Sequence, residues 1–263
     1  MHLLATINPL YVLSGLVVGF LVGLTGVGGG SLMTPLLVLL FGVHPTTAVG
    51  TDLLYASATK TVGTGVHGLK RTVQWSIVWR LAMGSVPATA VTLWILSQQA
   101  KHGASVNSLI TTALGWALIA TAIAVLFRKT IVRLVLERTG ELDPRRGAVF
   151  TVLLGAALGV LVSLTSVGAG AIGMTVLLIL YPKMDVAKLI GSDIAHAVPL
   201  TLLAGLGHWM MGSVDLRLLV SLLFGSIPGI ILGSLLASRT PDGILRPVLA
   251  GTLALVAFKM LTT

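Results

Sequence analysis

The chain has 263 residues, of which 55% are hydrophobic and only 10% are charged, and its mean hydropathy is +1.00. A soluble domain carries about 25% charged residues, so this chain has too few polar side chains to cover a globule in water. Its formal net charge is +9, but the basic residues lie in short loops between apolar runs. That pattern is typical of membrane topology signals and not of nucleic-acid binding. The absence of cysteine excludes disulfides and thiolate metal sites.

Apolar runs follow one another along the whole chain, and a helix needs about 20 apolar residues to cross a hydrocarbon core of about 30 Å. In chain order the runs are Leu10–Thr25, Leu32–Phe41, Thr46–Val66, Trp75–Ser97, Ser108–Phe127, Val149–Leu164, Ile172–Tyr181, Val186–Met211, Leu216–Ala237 and Leu245–Leu261. We therefore predict an all-α, multi-pass protein of the cell membrane, with the lipid bilayer as its surroundings. Two pairs of runs contain a short member and are broken by glycines, at Gly26–Gly30 and at Gly168-Ala169-Gly170.

The two halves of the chain repeat each other. Four segments recur in the same order with one residue of slippage: Leu21–Gly30 as Leu161–Gly170, Gly50-Thr51-Asp52 as Gly191-Ser192-Asp193, His67 as His208, and Gly84–Pro87 as Gly225–Pro228. One such match could arise by chance in apolar sequence, but four in order indicate a duplication. We predict a first transmembrane repeat at 1–130, a basic cytoplasmic linker at 131–147 and a second transmembrane repeat at 148–263.

The basic residues predict the orientation of these repeats. The central connection carries six cations, which are Arg128, Lys129, Arg133, Arg138, Arg145 and Arg146, and the positive-inside rule puts it in the cytoplasm. An odd number of crossings in each half then inverts the second repeat. This arrangement leaves Lys183, Lys188, Arg239 and Arg246 inside and only Arg217 and Lys259 outside. A parallel arrangement reverses that balance, so we predict two inverted five-segment repeats with glycine-broken short helices.

Inverted repeats with broken helices at matching positions are typical of secondary transporters. A broken helix exposes backbone N–H and C=O groups at membrane depth, which is tolerated only where they line a cavity or bind something. A half-helix that starts after Gly28-Gly29-Gly30 presents free N–H groups and the positive end of its dipole, which attract an anion. Thr25 and Ser31 add hydroxyls in the first half, and Thr165 and Ser166 add them in the second. The alternative is that these glycines only permit close helix packing.

Two acids lie inside apolar runs, Asp52 and Asp193, and they occupy the same position in the repeat. A charged residue within a membrane helix costs about 2.5–3.5 kcal/mol on insertion scales and is usually functional or paired. The structural alternative is that Thr51-Asp52 and Ser192-Asp193 cap helix starts, where these residue types are favoured. The two interpretations are compatible, because a capped helix start can also be part of a binding site.

Other polar residues could join these acids. Lys60 follows Asp52 by eight residues, about 80° further round a helix, so it could pair with Asp52 or add positive charge to an anion path; snorkelling toward the interface is the alternative. His196 lies one turn after Asp193 and could pass protons with it, or could be a packed hydrogen-bonding residue. His67 and His208 fall near helix ends, which favours an interfacial role and no metal site. No nucleophile motif or cofactor fingerprint is present, so we predict neither catalytic residues nor a cofactor.

The motif Thr25-Gly26-Val27-Gly28-Gly29-Gly30-Ser31 followed by Pro35, together with Gly50-Thr51-Asp52 and the second-half copies of both, resembles the sulfite exporter TauE/SafE family of permeases. The resemblance runs from about Leu10 to the end of the chain. It implies a plasma-membrane permease for small sulfur-containing anions, with sulfite and organosulfonates the usual substrates. The second copy departs from the first, with Ala169 for the middle glycine and Thr175 in place of Pro35.

These observations predict a transporter that exports a small anion by alternating access, with protons as the candidate coupling ion. The predicted substrate-binding residues are Thr25, Gly26, Gly28, Gly29, Gly30, Ser31, Thr51, Asp52, Lys60, Thr165, Ser166, Gly168, Ala169, Gly170, Ser192, Asp193 and His196. One alternative is a cation or metal permease that uses Asp52, Asp193, His196 and His208. Another class is a membrane enzyme or a non-transporting assembly subunit, and the sequence offers no clustered catalytic set for an enzyme.

Overall fold

The computed structural model describes residues 8–25, 30–69, 71–101, 106–139, 143–236, 251 and 257–259. These residues confirm the all-α prediction. In chain order the helices are α1 (Pro9–Thr25), α2 (Gly30–Phe41), α3 (Pro45–Leu69), α4 (Trp75–Lys101), α5 (Val106–Leu126), α6 (Arg128–Thr139), α7 (Pro144–Thr165), α8 (Ile172–Leu180), α9 (Val186–Met210) and α10 (Leu216–Leu236). The last predicted run, Leu245–Leu261, lies almost entirely outside the described residues.

Five of the described helices, α4, α5, α7, α9 and α10, are long and apolar enough to cross a membrane, which agrees with a multi-pass membrane protein. Helix α3 is 25 residues long but is not among them, because it carries Thr51, Asp52, Ser57, Thr59 and Lys60. All five of these side chains are buried. The helix can be this polar because it faces other helices and not lipid.

Each short helix pair folds back on itself as a helical hairpin. The ring of Tyr11, near the start of α1, packs edge-on against Phe41 at the end of α2, with 4.8 Å between ring centroids. In the second pair, the hydroxyls of Thr151 in α7 and Tyr181 after α8 share a hydrogen bond of 2.7 Å. The start of one helix therefore lies beside the end of the next in both pairs, and the glycine-rich segment of the second hairpin forms a tip buried among the other helices.

The hairpins pack against long helices from the opposite half of the chain, α1 along α10 and α7 along α4. Glycines allow these helices to touch at backbone distance. A Cβ at Gly84 would overlap the carbonyl oxygen of Val152, and a Cβ at Gly225 would overlap that of Val12. These two contacts are equivalent in the predicted repeat. The Gly84 and Gly225 motifs thus serve close helix packing.

Helices α3 and α9 are equivalent in the repeat and pack against each other in the middle of the bundle. Leu54 of α3 lies beside Gly205, whereas Gly63, further along α3, lies beside Ile194. Residue numbers rise on one helix as they fall on the other, so α3 and α9 run antiparallel. This crossing brings the polar residues of both helices to the centre of the molecule.

The basic connection between the halves contains a helix that was not predicted from the sequence. Helix α6 (Arg128–Thr139) spans the predicted boundary at residue 130 and most of the predicted linker. Its exposed face includes Lys129 and the ion pair between Arg133 and Glu137, with 3.9 Å between Nε and Oε1. Helix α7 then begins at Pro144, where a proline is suited to the first helical turn.

Candidate functional site

Three charged side chains lie together where α3 and α9 cross. Asp52, Lys60 and Asp193 retain only 0%, 7% and 3% of their accessible surface. The Lys60 ammonium interacts electrostatically with both carboxylates. Buried charges are tolerated when other charges compensate them, and these three residues are named here the central charge cluster. The structure thus brings together three of the predicted site residues, and Lys60 does not reach the membrane surface.

Asp52 is held by residues from both hairpins. The Thr34 hydroxyl of α2 donates a 2.5 Å hydrogen bond to Asp52 Oδ2. The Ser166 hydroxyl, at the tip of the second hairpin, also lies near this carboxylate. Asp52 Oδ1 has no hydrogen-bond partner among the described residues, which leaves one acceptor oxygen of the carboxylate available at the centre of the molecule.

Asp193 faces the same hairpin tip from the other side. The backbone N–H of Gly170 and the charged side chains of Lys60 and Arg128 lie near its carboxylate, and its Oδ1 has no hydrogen-bond partner among the described residues. Gly173 at the start of α8 has no side chain, and a Cβ there would lie 2.9 Å from Asp193 Oδ1. The N-terminal end of α8 was predicted to receive a substrate anion. In this structure the carboxylate of Asp193 lies beside that end of α8.

The second hairpin tip has the backbone conformation that its sequence requires. Ser166 is left-handed at φ 59°, and Gly168 and Gly170 have φ values of 120° and 103°, which glycine adopts without strain. Ala169 between them is buried. The Thr165 hydroxyl donates to the Leu161 carbonyl at 2.6 Å and accepts from the Val167 N–H at 3.1 Å, so it closes the end of α7.

Thr51 and Ser192 hold loops from the opposite half. The Thr51 Oγ1 accepts a hydrogen bond from the backbone N–H of Asp215 at 3.0 Å, and the Ser192 Oγ accepts one from Gln74 at 2.8 Å. Asp215 and Gln74 immediately precede α10 and α4. The structural alternative, that these motifs cap the starts of their own helices, is wrong, because both lie inside α3 and α9 and their hydroxyls accept from residues that precede other helices.

His196 does not pair with Asp193. Its Nε2 shares a 2.8 Å hydrogen bond with the Ser85 hydroxyl of α4, and its Nδ1 has no partner among the described residues. The equivalent position in the first repeat is Tyr55, whose hydroxyl lies near Ser226, the equivalent of Ser85. Sequence reading missed Thr34, Tyr55, Ser85 and Ser226. An offset of 141 residues, taken from Asp52 and Asp193, relates Tyr55 to His196 and Ser85 to Ser226, so the repeat could have identified these two pairs.

His208 is wholly buried at 0% exposure, so the interfacial role predicted for it is wrong. Its Nε2 donates to the Ser163 carbonyl of α7 at 2.9 Å. That carbonyl lacks its usual helical donor, since the N–H of Val167 bonds the Thr165 hydroxyl instead. His208 therefore supplies a donor to the frayed end of α7. The side chain of His67 lies outside the described residues.

The first glycine segment can be placed only in part. Gly26, Gly28 and Gly29 lie outside the described residues, as do the side chains of Thr25, at the end of α1, and Ser31; Gly30 is the first residue of α2. In the part of the chain that is described, no three His, Asp or Glu side chains converge as metal ligands do. His196 Nε2 bonds the Ser85 hydroxyl and His208 Nε2 bonds the Ser163 carbonyl, so neither nitrogen supports the metal-permease alternative.

The profile of the family described as sulfite exporter TauE/SafE matches residues 11–260. The chain belongs to this family. TauE/SafE proteins are membrane transporters and not a class of enzymes, so the central charge cluster lies inside a transport protein.

Several curated membrane transporter proteins match most of the chain. It is 38% identical to the probable membrane transporter protein YjnA of Bacillus subtilis (strain 168) over 251 residues, which are 95% of this chain and 98% of that protein. It is 27% identical to YdhB of the same organism over 258 residues, 94% and 99% of the two chains. A probable membrane transporter protein of Xylella fastidiosa (strain 9a5c) is 28% identical over 234 residues, 86% and 83% of the two. No solved structure matches.

Proposed function

We propose that this transporter is a permease for a small sulfur-containing anion, sulfite or an organosulfonate, which it exports by alternating access. The observation that carries the proposal is the position of Lys60, a buried cation of α3 near the carboxylates of Asp52 and Asp193, which lie beside the tip of the second hairpin. A buried cation, a free serine hydroxyl and backbone N–H groups are the donors that oxyanions bind. The family description supports the substrate class.

The charges of the site suggest that protons accompany the anion. Lys60 and Arg128 balance the charges of Asp52 and Asp193, so a bound anion adds a buried charge that these cations do not compensate. Protonation of Asp193 removes this conflict. It also releases the Gly170 N–H and Lys60 from the carboxylate, and both then become donors for the substrate. Proton and anion thus bind together because Asp193 and the substrate compete for the same donors.

If each anion moves together with one proton, the charge of the anion determines what drives transport outward. A sulfite dianion that moves with one proton carries one net negative charge, and an inside-negative membrane potential drives that charge outward at about 2.3 kcal/mol per 100 mV. A sulfonate monoanion with one proton carries no net charge, so its own concentration gradient would drive it. Membrane potential and pH gradient are therefore separable variables in an experiment.

The packing of the helices supports a mechanism in which one repeat moves against the other. Equivalent helices α3 and α9 are antiparallel, and each hairpin packs on a long helix from the opposite half. Both features are those of inverted repeats, in which the substrate site lies between the halves. We infer that the first hairpin, with Gly28–Ser31, provides the second half of the site, opposite Ser166 to Ala171.

The decisive measurement is the flux of radiolabelled sulfite into and out of proteoliposomes, with and without imposed pH and potential gradients. We expect flux above that of empty liposomes that responds to both gradients. Asp193→Asn should retain flux but lose its response to the pH gradient, whereas Lys60→Gln should lose flux. Absence of sulfite and sulfonate flux from folded protein would overturn the substrate class, and flux of a divalent metal would favour the cation alternative.

Substitution of the hairpin glycines tests the location of the site. Gly168→Leu puts a side chain at a φ of 120°, with its Cβ 2.7 Å from Leu161 Cδ2, and Gly29→Leu adds a leucine side chain to the first glycine segment. Both should abolish transport and leave membrane insertion intact. Gly65→Leu is the matched control, because a Cβ at Gly65 meets no atom within 4 Å. Unchanged transport in the two hairpin variants would exclude the tips from the site.

A further inference from the structure

A recess of about 500 Å³ opens at the end of the bundle where α4, α7 and α9 begin and α8 ends. We call it the basic recess. Its walls come from three segments, which are Gln74 and Arg80 of the first half, Gly147 of α7, and the loop that runs from Leu180 to Asp185 with Lys188 beyond it. Two of these segments border connections that the sequence analysis predicts to be cytoplasmic.

Cations dominate the walls of this recess. Arg80, Lys183 and Lys188 line it together with one acid, Asp185. The Asp185 carboxylate accepts a hydrogen bond from the N–H of Ala187 at 3.0 Å, so part of its charge already stabilises the start of α9. The recess therefore carries a net positive charge, and concave low-dielectric walls strengthen the field of such charges.

Arg80 has a fixed position in the wall. Its Nη1 donates to the Tyr181 hydroxyl at 3.3 Å, and that hydroxyl bonds Thr151 Oγ1 at 2.7 Å. Membrane insertion requires basic residues on the cytoplasmic side, but it does not require three of them to converge on one recess or one of them to be held by a tyrosine. This arrangement indicates a binding surface.

The recess adjoins the central charge cluster along α9. The Ser192 hydroxyl donates to the carbonyl of Lys188 at 2.6 Å, one turn earlier, and Asp193 is the next residue. The same hydroxyl accepts from the N–H of Gln74, another residue of the wall. Five residues of α9, about 1.4 turns, therefore separate Lys188 in the wall of the recess from the buried carboxylate of Asp193.

We propose that the basic recess is a peripheral binding site for small oxyanions, which it collects before they reach the central charge cluster. Only the identity of the oxyanion rests on the proposed function; the site itself rests on the recess. Its ligand chemistry is a compact group with one or two negative charges, such as a sulfonate or sulfite. The phosphate of an anionic lipid has the same chemistry, so the experiment must separate the two sources.

The test exploits the absence of native cysteine and needs no transport. Met184→Cys places a thiol on the wall of the recess, and Leu134→Cys places one on an exposed position of α6 as the control site. The rates of modification by anionic methanethiosulfonate ethylsulfonate and its cationic trimethylammonium analogue are measured in lipid-free detergent. The ratio of anionic to cationic rate should be several-fold higher at the recess, and each of Arg80→Gln and Lys188→Gln should lower it about threefold.

Protection of the thiol identifies the ligand. Millimolar ethanesulfonate should slow modification of the Met184→Cys protein and leave the Leu134→Cys protein unaffected, and Arg80→Gln with Lys188→Gln should remove this protection; Lys129→Gln on α6 is the charge control. Equal rate ratios at the two sites, or no protection by ethanesulfonate, would overturn the proposal even if sulfite flux is found. Protection by phosphatidylglycerol alone would overturn it in favour of a lipid site. Protection without any sulfite flux would leave the recess standing and the proposed substrate wrong.

Discussion

The Ser192 hydroxyl accepts a 2.8 Å hydrogen bond from the backbone N–H of Gln74, across the boundary between the two halves of the chain. Thr51 makes the equivalent bond to Asp215 at 3.0 Å. Gly191 and Gly50, the preceding residues, make room for these loops, because a Cβ at either would overlap the carbonyl oxygen of Thr72 or Ser213. In the Gly-Thr/Ser-Asp motif, the glycine and the hydroxyl thus hold a loop of the opposite half of the chain. Only the aspartate belongs to the central charge cluster.

Removal of the Ser192 hydroxyl should therefore affect stability more than substrate affinity. Ser192→Ala leaves the Gln74 N–H without its acceptor and should destabilise the protein by about 1 kcal/mol, whereas Ser192→Thr keeps an acceptor and should cost less. The measurement is the midpoint of thermal unfolding in detergent, beside the KM for the transported anion. A large rise in KM with an unchanged midpoint would instead make Ser192 a substrate ligand.

Much of the fold could be predicted from the sequence because membrane-spanning helices are recognisable by their apolar composition. Nine of the ten predicted runs have a described helix at nearly the same limits, from α1 at Pro9–Thr25 to α10 at Leu216–Leu236. Helix α6 was missed because its charged, amphipathic sequence does not resemble a membrane span. The return of each hairpin could not be predicted either, since it depends on contacts such as that between Thr151 and Tyr181.

The sequence predicted which charged residues lie together, but it did not predict which groups the hydroxyls contact. Asp52, Lys60 and Asp193 are conspicuous because charge is costly in an apolar helix, and they do lie together. Thr51, Ser192 and Thr165 look similar in sequence to Ser166, yet their hydroxyls bond backbone groups, whereas that of Ser166 lies near Asp52. Only the tertiary contacts distinguish these uses of the same residue type.

The glycines of α7 provide a test of helix packing with an internal control. A Cβ at Gly155 would overlap the Leu81 carbonyl oxygen of α4, whereas a Cβ at Gly147 meets no atom within 4 Å. Gly155→Ala should separate α7 from α4 and lower the unfolding midpoint strongly. Gly147→Ala should be neutral or slightly stabilising, because alanine favours helix by about 0.5–1 kcal/mol over glycine. Similar midpoints for the two variants would contradict the close contact.

The bond from His208 to Ser163 predicts a change in the exposure of the hairpin tip. His208→Leu leaves the Ser163 carbonyl without a donor, at a cost of about 1–3 kcal/mol, and should loosen the end of α7. The readout is maleimide labelling of Ala169→Cys, which is buried in the parent structure. Labelling should be slow with His208 present and faster in His208→Leu, with His208→Gln in between because its amide can donate. Equal labelling rates would mean that this bond does not hold the tip.

The sharpest prediction concerns the mutual dependence of Lys60 and Asp193. Lys60→Met leaves Asp52 and Asp193 with Arg128 as their remaining cation, and loss of one partner from a buried ionic group costs about 3–5 kcal/mol. Adding Asp193→Asn removes one of the two buried negative charges. The double variant, Lys60→Met with Asp193→Asn, should therefore be more stable than Lys60→Met alone. Transport should not recover, because the cation that binds the anion is still missing.

A double-mutant cycle of unfolding midpoints and sulfite flux measures this dependence. The control is Lys129→Gln, which removes a cation from the exposed face of α6. When added to Asp193→Asn, it should leave the unfolding midpoint and the sulfite flux of the Asp193→Asn protein unchanged. Additive effects of Lys60→Met and Asp193→Asn on stability would show that the two charges do not interact. Recovered flux in the double variant would show that Lys60 serves only to balance Asp193, in which case the substrate must bind the backbone and hydroxyl groups of the hairpin tips without a cation.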